Sequence, residues 1–404
     1  MSKNAPLPPP TLIADQAGLD DLVSRLEGVD EVAVDTEADS FFSYREKVCL
    51  VQVTADGEDF LVDPLADVDL TGLGECFADP ARIKIFHDSE FDVLILKRAY
   101  GFRFAGLFDT RVAAAALGRE TLGLAGVLEE EFGVQLDKSQ QRSDWSRRPL
   151  SDKQIGYARL DTHYLSRLRG RLEEQLDELD RRYVVESEFE RLAGIEPPDR
   201  SFEPNEFIRL KGARALDLAQ QAVLRELFIE RDQLARRRDV PPFKVLAHAA
   251  LIQVAAARPD SAESFAKAAG LRSQAAGRIA KPMLEAVARG IDAGPLEESP
   301  RLPPKDGTGG FEELDHELHD RLKKLRTKLA KADGFDPSLV LNRHTLLALV
   351  RAKPRAIEDL QGVGGLSDWQ REAYGQRIVR TVLRLDADVE SGSFTPRAKR
   401  RPRR

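Results

Sequence analysis

The chain has 404 residues, of which 42% are hydrophobic, and a formal net charge of −7 at pH 7. This length predicts about two or three domains, each with enough apolar residues for its own core. Only Cys49 and Cys76 are present, which argues against a disulfide framework, and no apolar run approaches the length of a membrane span. The proline-rich N-terminus has no apolar signal segment, so we expect a cytoplasmic protein.

The first element that bears on function is a predicted strand at residues 31–37. Its period-two pattern places Asp35 and Glu37 on one face, about 7 Å apart at the backbone. A solvated acidic strand end is the commoner explanation for such a pair taken alone. Phe41, Phe42 and Tyr44 follow the pair and suit either stacking on a terminal base or packing of the loop.

The next predicted elements are strands at 47–54, 59–62 and 83–86, then helices at about 89–99, 110–117, 122–132 and 152–190. Strands that precede helices in this order predict an α/β domain in which helices flank a mixed sheet.

The helix that begins near residue 89 contains a third candidate carboxylate. We expect Phe91, Leu94, Ile95 and Leu96 to point inward. Asp88 is the expected N-cap and Glu90 lies in the first turn, where helix geometry alone favours anions, so Asp92 remains the candidate ligand. Asp109 precedes the following helix and is interpreted as an N-cap.

A capping box at residues 151–154 begins the helix that holds the fourth carboxylate. Asp161 falls on the apolar stripe of this helix, with Tyr157 one turn earlier on the same face. A lone carboxylate in such a position costs several kcal/mol unless it is paired or bound to a cation. Pairing with an arginine or capping of a neighbouring loop fits the pattern equally well.

Three segments together resemble the exonuclease motifs of the DEDD superfamily in its tyrosine subclass. They are Asp35-x-Glu37, His87-x-x-x-Phe91-Asp92-x-x-x-Leu96 and Tyr157-x-x-x-Asp161. The segment at 144–150, DWSRRPL, is similar to the ribonuclease D family in particular. The resemblance covers roughly residues 11–190 and implies a ribonuclease H-like exonuclease core. Asp88 departs from it, because many relatives have asparagine or a small residue there.

The resemblance also implies a metal site for phosphodiester hydrolysis. Two divalent ions, Mg²⁺ or Mn²⁺, would be bound by Asp35, Glu37, Asp92 and Asp161, with Asp35 bridging them and Asp92 supporting the second ion directly or through water. Hard cations of this kind prefer carboxylate oxygens, and a pair of ions about 4 Å apart can hold the attacking water and the leaving oxygen on opposite sides of phosphorus. Tyr157 would orient the water, because a phenol with a pKa near 10 is a poor base at neutral pH.

The negative net charge means that nucleic-acid binding depends on local basic patches. Candidates are Arg142, Arg147 and Arg148 around Trp145, and the tail at 397–404 with its six basic residues. Trp145 is better explained as a core anchor than as a base-stacking residue. The tail is expected to lack structure and to add salt-sensitive affinity for nucleic acid.

Beyond residue 194 the predicted structure is helical and internally repeated. At a constant offset of 95 residues Pro242 matches Pro337, Leu251 matches Leu346, and Gly270 matches Gly365. The blocks resemble tandem HRDC domains. The expected divisions are an exonuclease domain at 11–193, HRDC domains at 207–291 and 312–388, and the basic tail at 389–404. The glycine turn at 360–366 suits phosphate binding or packing.

We therefore expect a monomeric 3′-5′ exoribonuclease that releases nucleoside 5′-monophosphates and trims structured RNA such as tRNA precursors, without a membrane partner. A DNA exonuclease is an alternative, because nothing in the sequence reads the 2′-hydroxyl. A catalytically silent RNA-binding protein is a second alternative, but it would normally lack a carboxylate, and all four are present.

Overall fold

A computed structural model describes residues 7–199, 201–304 and 307–394. The chain begins with an α/β domain, whose described residues form one mixed sheet of six strands in the order β1-β4-β3-β2-β5-β6. Strands β2, β3 and β4 are antiparallel, whereas β1–β4, β2–β5 and β5–β6 pair in parallel. The strands are β1 Thr11–Ile13, β2 Glu31–Ala38, β3 Val48–Ala55, β4 Glu58–Val62, β5 Ile83–Phe86 and β6 Leu107–Asp109.

The predicted mixed sheet is confirmed, and so are the predicted strands, within a residue at their ends. The helix predicted at 152–190 is wrong as a single element, because the chain breaks at Tyr164 and again at Asp180, which has a left-handed backbone. The helices of this domain are α1 Gln16–Leu26, α2 Thr71–Ala78, α3 Glu90–Tyr100, α4 Thr110–Ala116, α5 Leu124–Phe132, α6 Asp152–His163, α7 Leu165–Glu178 and α8 Arg182–Gly194.

The centre of the α/β domain is strand β3, whose eight residues are all buried. A strand is buried along its whole length only when both faces of the sheet are covered, and α3 and α6 both contact β3. Strand β2 lies beside β3 and pairs with β5 on its other edge. The acidic strand end is therefore held in the middle of the sheet.

Two helical domains follow, each with its own apolar core. The first helical domain contains α9 Leu218–Arg237, α10 Pro242–Val245, α11 His248–Ala257, α12 Ala262–Ala269, α13 Ser273–Gly277 and α14 Ala280–Asp292, after short 3-10 helices at Pro204–Arg209 and Ala213–Ala215. The second helical domain contains α15 Glu313–Asp333, α16 Pro337–Val340, α17 Arg343–Ala352 and α18 Asp368–Glu390, with a 3-10 helix at Glu358–Gly362. The basic tail was predicted at 389–404, but Val389 and Glu390 still belong to α18. Residues 395–404 of that tail lie outside the described residues. No helix in the described part of the chain is long and apolar enough to cross a bilayer.

The 95-residue repeat extends to individual hydrogen bonds. Arg231 donates to the carbonyl of Leu246 at 3.3 Å, and Arg326 donates to the carbonyl of Leu341 at the same distance. The glycine turn packs on α17, because the Thr345 hydroxyl of that helix donates to the carbonyl of Gly365 in the turn at 2.7 Å. The two helical domains are thus versions of one fold, and residues at the offset of 95 can be compared directly.

The second helical domain is attached to the end of α4 by Arg181. The Arg181 guanidinium donates to the carbonyl of Ala116 in the α/β domain, at 2.8 Å. It also donates to the carbonyl of Asp333 in the second helical domain, at 2.7 Å. The same guanidinium lies over the Phe335 ring, 4.7 Å from its centroid, and Trp369 packs edge-on against that ring. This interface combines hydrogen bonds with aromatic packing, so we expect it to be rigid.

Gly118 provides a test of this interface. Its backbone is left-handed and a Cβ there would overlap the carbonyl oxygen of Gly334 across the interface. Gly133 is also left-handed but has open space around it. Both Gly→Ala changes cost about 1 kcal/mol of backbone strain, and Gly118→Ala should cost about 1–3 kcal/mol more from overpacking. Urea unfolding followed by tryptophan fluorescence measures the difference, and equal midpoints for the two variants would contradict a tight contact.

The first helical domain contacts the loop between β2 and β3, here called the hairpin loop (residues 39–47). The Tyr44 hydroxyl donates to Asp232 at 2.8 Å, and the Lys47 ammonium pairs with Asp239 at 2.6 Å. The Lys244 ammonium lies over the Phe42 ring, 4.2 Å from its centroid. Phe42 therefore faces the first helical domain, so base stacking, predicted for it as one alternative, does not fit its position.

Candidate active site

A cleft of about 420 Å³ contains the four predicted carboxylates. Carboxylate oxygens of Asp35, Glu37 and Asp161 lie within 4.8 Å of one another, although the residues come from β2 and from α6. Asp92, on α3, lines the same cleft but lies outside this group of three. Its carboxylate accepts a hydrogen bond of 2.5 Å from the Thr36 hydroxyl.

The position of α3 depends on Asp109, which is buried. Its carboxylate accepts from the backbone N–H of Arg111 and so caps α4, as predicted. It also accepts from the N–H groups of Asp88 at 3.1 Å and Ser89 at 2.8 Å, where the chain enters α3. The prediction that Asp88 caps α3 is wrong, because Ser89 precedes the helix and Asp88 has a left-handed backbone.

Helix α6 is fixed at both ends. The predicted capping box between Ser151 and Gln154 is present at its start. Near its end Arg159 donates two hydrogen bonds, at 3.1 and 2.5 Å, to the buried carboxylate of Asp59 on β4. Because Asp161 follows Arg159 by two residues, the Arg159–Asp59 pair limits how far the Asp161 carboxylate can move. On β2 the register shifts between Glu37 and Ala38, a bulge of the kind that redirects side chains at a site.

The four carboxyl groups cannot all ionise together at neutral pH without a compensating charge. Burial and repulsion from the neighbouring carboxylates raise the pKa of Asp35 well above its usual range and that of Glu37 to about 9. Burial is also the main reason why the pKa of Asp92 and that of Asp161 rise to about 7. A hard divalent cation such as Mg²⁺ or Mn²⁺ would supply the missing positive charge, and such cations bind clustered carboxylate oxygens.

Tyr157 lies beside this cluster and lines the same cleft. Burial, together with repulsion from the nearby Asp161, Glu37 and Asp35 carboxylates, raises the pKa of its phenol above the ordinary value. Its ring packs near Trp145, with centroids 6.0 Å apart. In the metal-free chain the phenol therefore stays protonated at neutral pH, which suits it to orient a water molecule rather than to act as a base.

The predicted nucleic-acid-binding residues fall into two groups. Phe41, which is 58% exposed, and Arg142 both line the cleft. Trp145 is 1% exposed and belongs to the core, in line with the favoured interpretation, so its ring is closed to a base.

The two arginines that follow Trp145 have other contacts. Arg147 pairs with Asp144 and does not line the cleft. Arg148 donates to the Asp63 carboxylate at 2.5 and 2.6 Å and to the carbonyl of Cys49 at 2.6 Å, so it ties the loop to the sheet. The guanidinium groups of Arg147 and Arg148 therefore lie outside the cleft.

Several residues of the cleft were not predicted to line it. Phe91, expected to point inward, is 44% exposed and lines the cleft, as do Arg111 and Lys138. His87 lines it too, and burial lowers its pKa to about 4, so the imidazole is neutral. Lys138 is in an irregular segment that no pattern distinguishes, whereas His87 was part of the motif but had no assigned role.

Comparisons with known proteins identify the class to which this fold and site belong. A family model described as 3′-5′ exonuclease matches residues 10–177, and the HRDC domain model matches residues 220–287 and 315–382. The protein is thus a 3′-5′ exonuclease with two HRDC domains. Ribonuclease D of Gluconacetobacter diazotrophicus is 30% identical over 94% of each chain, and that of Granulibacter bethesdensis is 31% identical over 91% of each. The chain belongs to the ribonuclease D family and is a 3′-5′ exoribonuclease.

Solved structures show the same architecture. The structure of Escherichia coli RNase D, an exoribonuclease involved in structured RNA processing, is 23% identical, with a TM-score of 0.65 over 93% of this chain and 99% of that one. The catalytic core of RRP6 from Trypanosoma brucei is 29% identical, with a TM-score of 0.65 over 70% of this chain and 80% of that one. The similarity to the E. coli structure extends across both helical domains.

The metal-free cluster should make stability depend on pH. The carboxyl pKa values are higher in the folded chain than in the unfolded chain, so the folded state binds more protons between about pH 4 and pH 9. Stability in EDTA should therefore fall as the pH rises through this window, by several kcal/mol, because each unit of pKa shift corresponds to about 1.4 kcal/mol. Thermal unfolding at pH 5.5 and 8.5 measures this. The double variant Asp35→Asn/Asp161→Asn should lose less stability between these two pH values. An equal loss in wild type and variant would contradict repulsion among the carboxylates.

The hairpin loop should couple the first helical domain to the cleft. Ser40 and Phe41 line the cleft, while Tyr44 is held by Asp232. Tyr44→Ala removes this anchor, so we expect the KM for a short RNA to rise about tenfold with a smaller change in kcat. Tyr44→Phe keeps the packing and should have a smaller effect. Steady-state kinetics test this, and an unchanged KM for Tyr44→Ala would show that the loop is ordered without the domain.

Proposed function

We propose that this protein hydrolyses RNA from the 3′ end to nucleoside 5′-monophosphates, and that it trims structured RNA such as tRNA precursors. The observation that carries the proposal is the carboxylate cluster, in which burial and mutual repulsion favour bound cations. Similarity to ribonuclease D proteins, including the Escherichia coli exoribonuclease, supports RNA as substrate. Two helical domains beside the cleft would serve to hold the body of a folded RNA.

The four carboxylates of the cleft have distinct roles in this proposal. Asp35, Glu37 and Asp161 would hold one divalent ion, and Asp92, oriented by Thr36, would support a second. When bound, two Mg²⁺ or Mn²⁺ ions neutralise the charge of the phosphodiester and acidify water. These four acidic residues keep the ions in the cleft.

Other side chains of the cleft suit binding of the RNA strand. Tyr157, which lines the cleft beside the carboxylates, would direct the attacking water through its hydroxyl. Phe41 and Phe91 present exposed rings for stacking on a terminal base. Lys138 and Arg142 supply positive charge for the phosphate backbone.

One experiment tests polarity, sugar preference and metal dependence. RNA and DNA of one sequence, labelled at either end, are incubated with the protein in Mg²⁺, Mn²⁺ or EDTA. We expect 5′-labelled RNA to shorten one nucleotide at a time and 3′-labelled RNA to release a labelled nucleoside 5′-monophosphate, with DNA cut more slowly. Shortening from the 5′ end, or undiminished activity in EDTA, would contradict the proposal.

Site variants test the assignment of the carboxylates. Asp35→Asn or Asp161→Asn removes a ligand charge from the cluster, so activity should fall by about a hundredfold or more. Asp88→Asn is the matched control, since Asp88 also lines the cleft but pairs with Arg111 instead. It should retain activity within about threefold of wild type under the same assay. Comparable losses in all three variants would show that the metal ligands are wrongly assigned.

A further inference from the structure

A groove of about 390 Å³ runs between α15 and α18 of the second helical domain. Four cationic side chains line it, and no carboxylate is present among its described lining residues. Three are on α18, where Arg377, Arg380 and Arg384 follow the i, i+3, i+7 spacing of one helix face, and Lys328 is on α15. Leu325 contributes to its apolar floor. We call this feature the basic groove.

The cations of the basic groove are not neutralised by the protein. All four residues are exposed, and none forms an ion pair with a carboxylate in the described part of the chain. Other arginines of the same domain are paired: Arg321 bonds to Glu317 and Asp388. Four like charges along one groove repel each other, which is unfavourable unless an anion binds.

The first helical domain offers an internal comparison. At the offset of 95, the positions of Lys328, Arg377 and Arg380 are occupied in the first helical domain by Gln233, Pro282 and Glu285. The position of Arg384 is occupied by Arg289, which there pairs with Glu226 and Glu230.

The acids that pair with Arg289 have no counterpart in the second helical domain. At the positions of Glu226 and Glu230 it has Arg321 and Leu325. The core positions of α14 and α18 match through the same offset, for example Met283 with Ile378. Since the fold is retained while the charge of this face is reversed, the positive charge is not required by the fold.

We propose that the basic groove binds the phosphate backbone of the RNA substrate, upstream of the 3′ end that enters the cleft. Phosphates are the anions that match a row of unpaired cations, and RNA supplies them at regular spacing. The chain's own C-terminal segment is not the occupant, because residues 397–404 are themselves basic. Cleft and groove belong to different domains, so only an RNA longer than the terminal nucleotides reaches both. This inference rests on the proposed function.

The test compares two full-length variants with equal loss of charge. The groove variant is Lys328→Gln/Arg377→Gln/Arg380→Gln. Its control removes three exposed cations from the first helical domain: Lys267→Gln/Arg272→Gln/Lys281→Gln. Affinity for an RNA hairpin of tRNA length with a single-stranded 3′ tail is measured at several salt concentrations, in an Asp161→Asn background that leaves the RNA intact. Circular dichroism confirms that both variants are folded.

We expect the groove variant to bind the hairpin about tenfold to a hundredfold more weakly than its control at low salt. The slope of log Kd against log salt should be about two units shallower, because phosphate contacts are lost. In the active background, the two variants should match each other on an RNA of about four nucleotides. Equal hairpin affinities for the two variants would overturn the groove proposal. A wild-type protein that shortens neither RNA would instead overturn the proposed function.

Discussion

Repulsion among partly buried carboxylates is the constraint on which the rest of the α/β domain depends. Asp35 and Glu37 lie at the end of a strand in the middle of the sheet, and Asp161 is brought within a few ångströms of them. Such an arrangement is unfavourable for the apo chain, and elements that were free to move would separate the charges. The surrounding structure prevents this through the Asp109 contacts that fix α3 and the Arg159–Asp59 pair that fixes α6.

The two helical domains share a fold but differ in what they contact. The first contacts the hairpin loop through Tyr44, and Ser40 and Phe41 of the same loop line the cleft. The second is attached beside α4 through Arg181 and exposes the basic groove. A repeat of one module has thus diverged at its surface, so that one copy supports the cleft and the other presents positive charge. Both copies keep an apolar core of their own, so the difference in surface charge has not cost either domain its fold.

Much of the fold and of the site could be predicted because the relevant signals are local. The i, i+4 spacing of Tyr157 and Asp161, the capping box before them and the strand pattern around Asp35 each depend on a few adjacent residues. The break at Tyr164 could not be predicted, because the apolar spacing of α7 continues that of α6. Phe91 was misplaced because an aromatic residue was assumed to be buried, whereas the cleft leaves it exposed. Contacts between distant segments, such as Thr36 with Asp92, have no signature in a single sequence.

The central claim is that the carboxylate cluster is a divalent-cation site whose raised pKa values reflect the missing charge. Calorimetric titration of Mn²⁺ into the metal-free protein near pH 7.5, in buffers of different ionisation enthalpy, tests it most directly. The account predicts binding that releases protons, because carboxyl groups with raised pKa values must deprotonate to bind the ion. It also predicts that Asp35→Asn/Asp161→Asn weakens this binding by about a hundredfold or more. Binding without proton release, or with equal affinity in wild type and variant, would contradict the account.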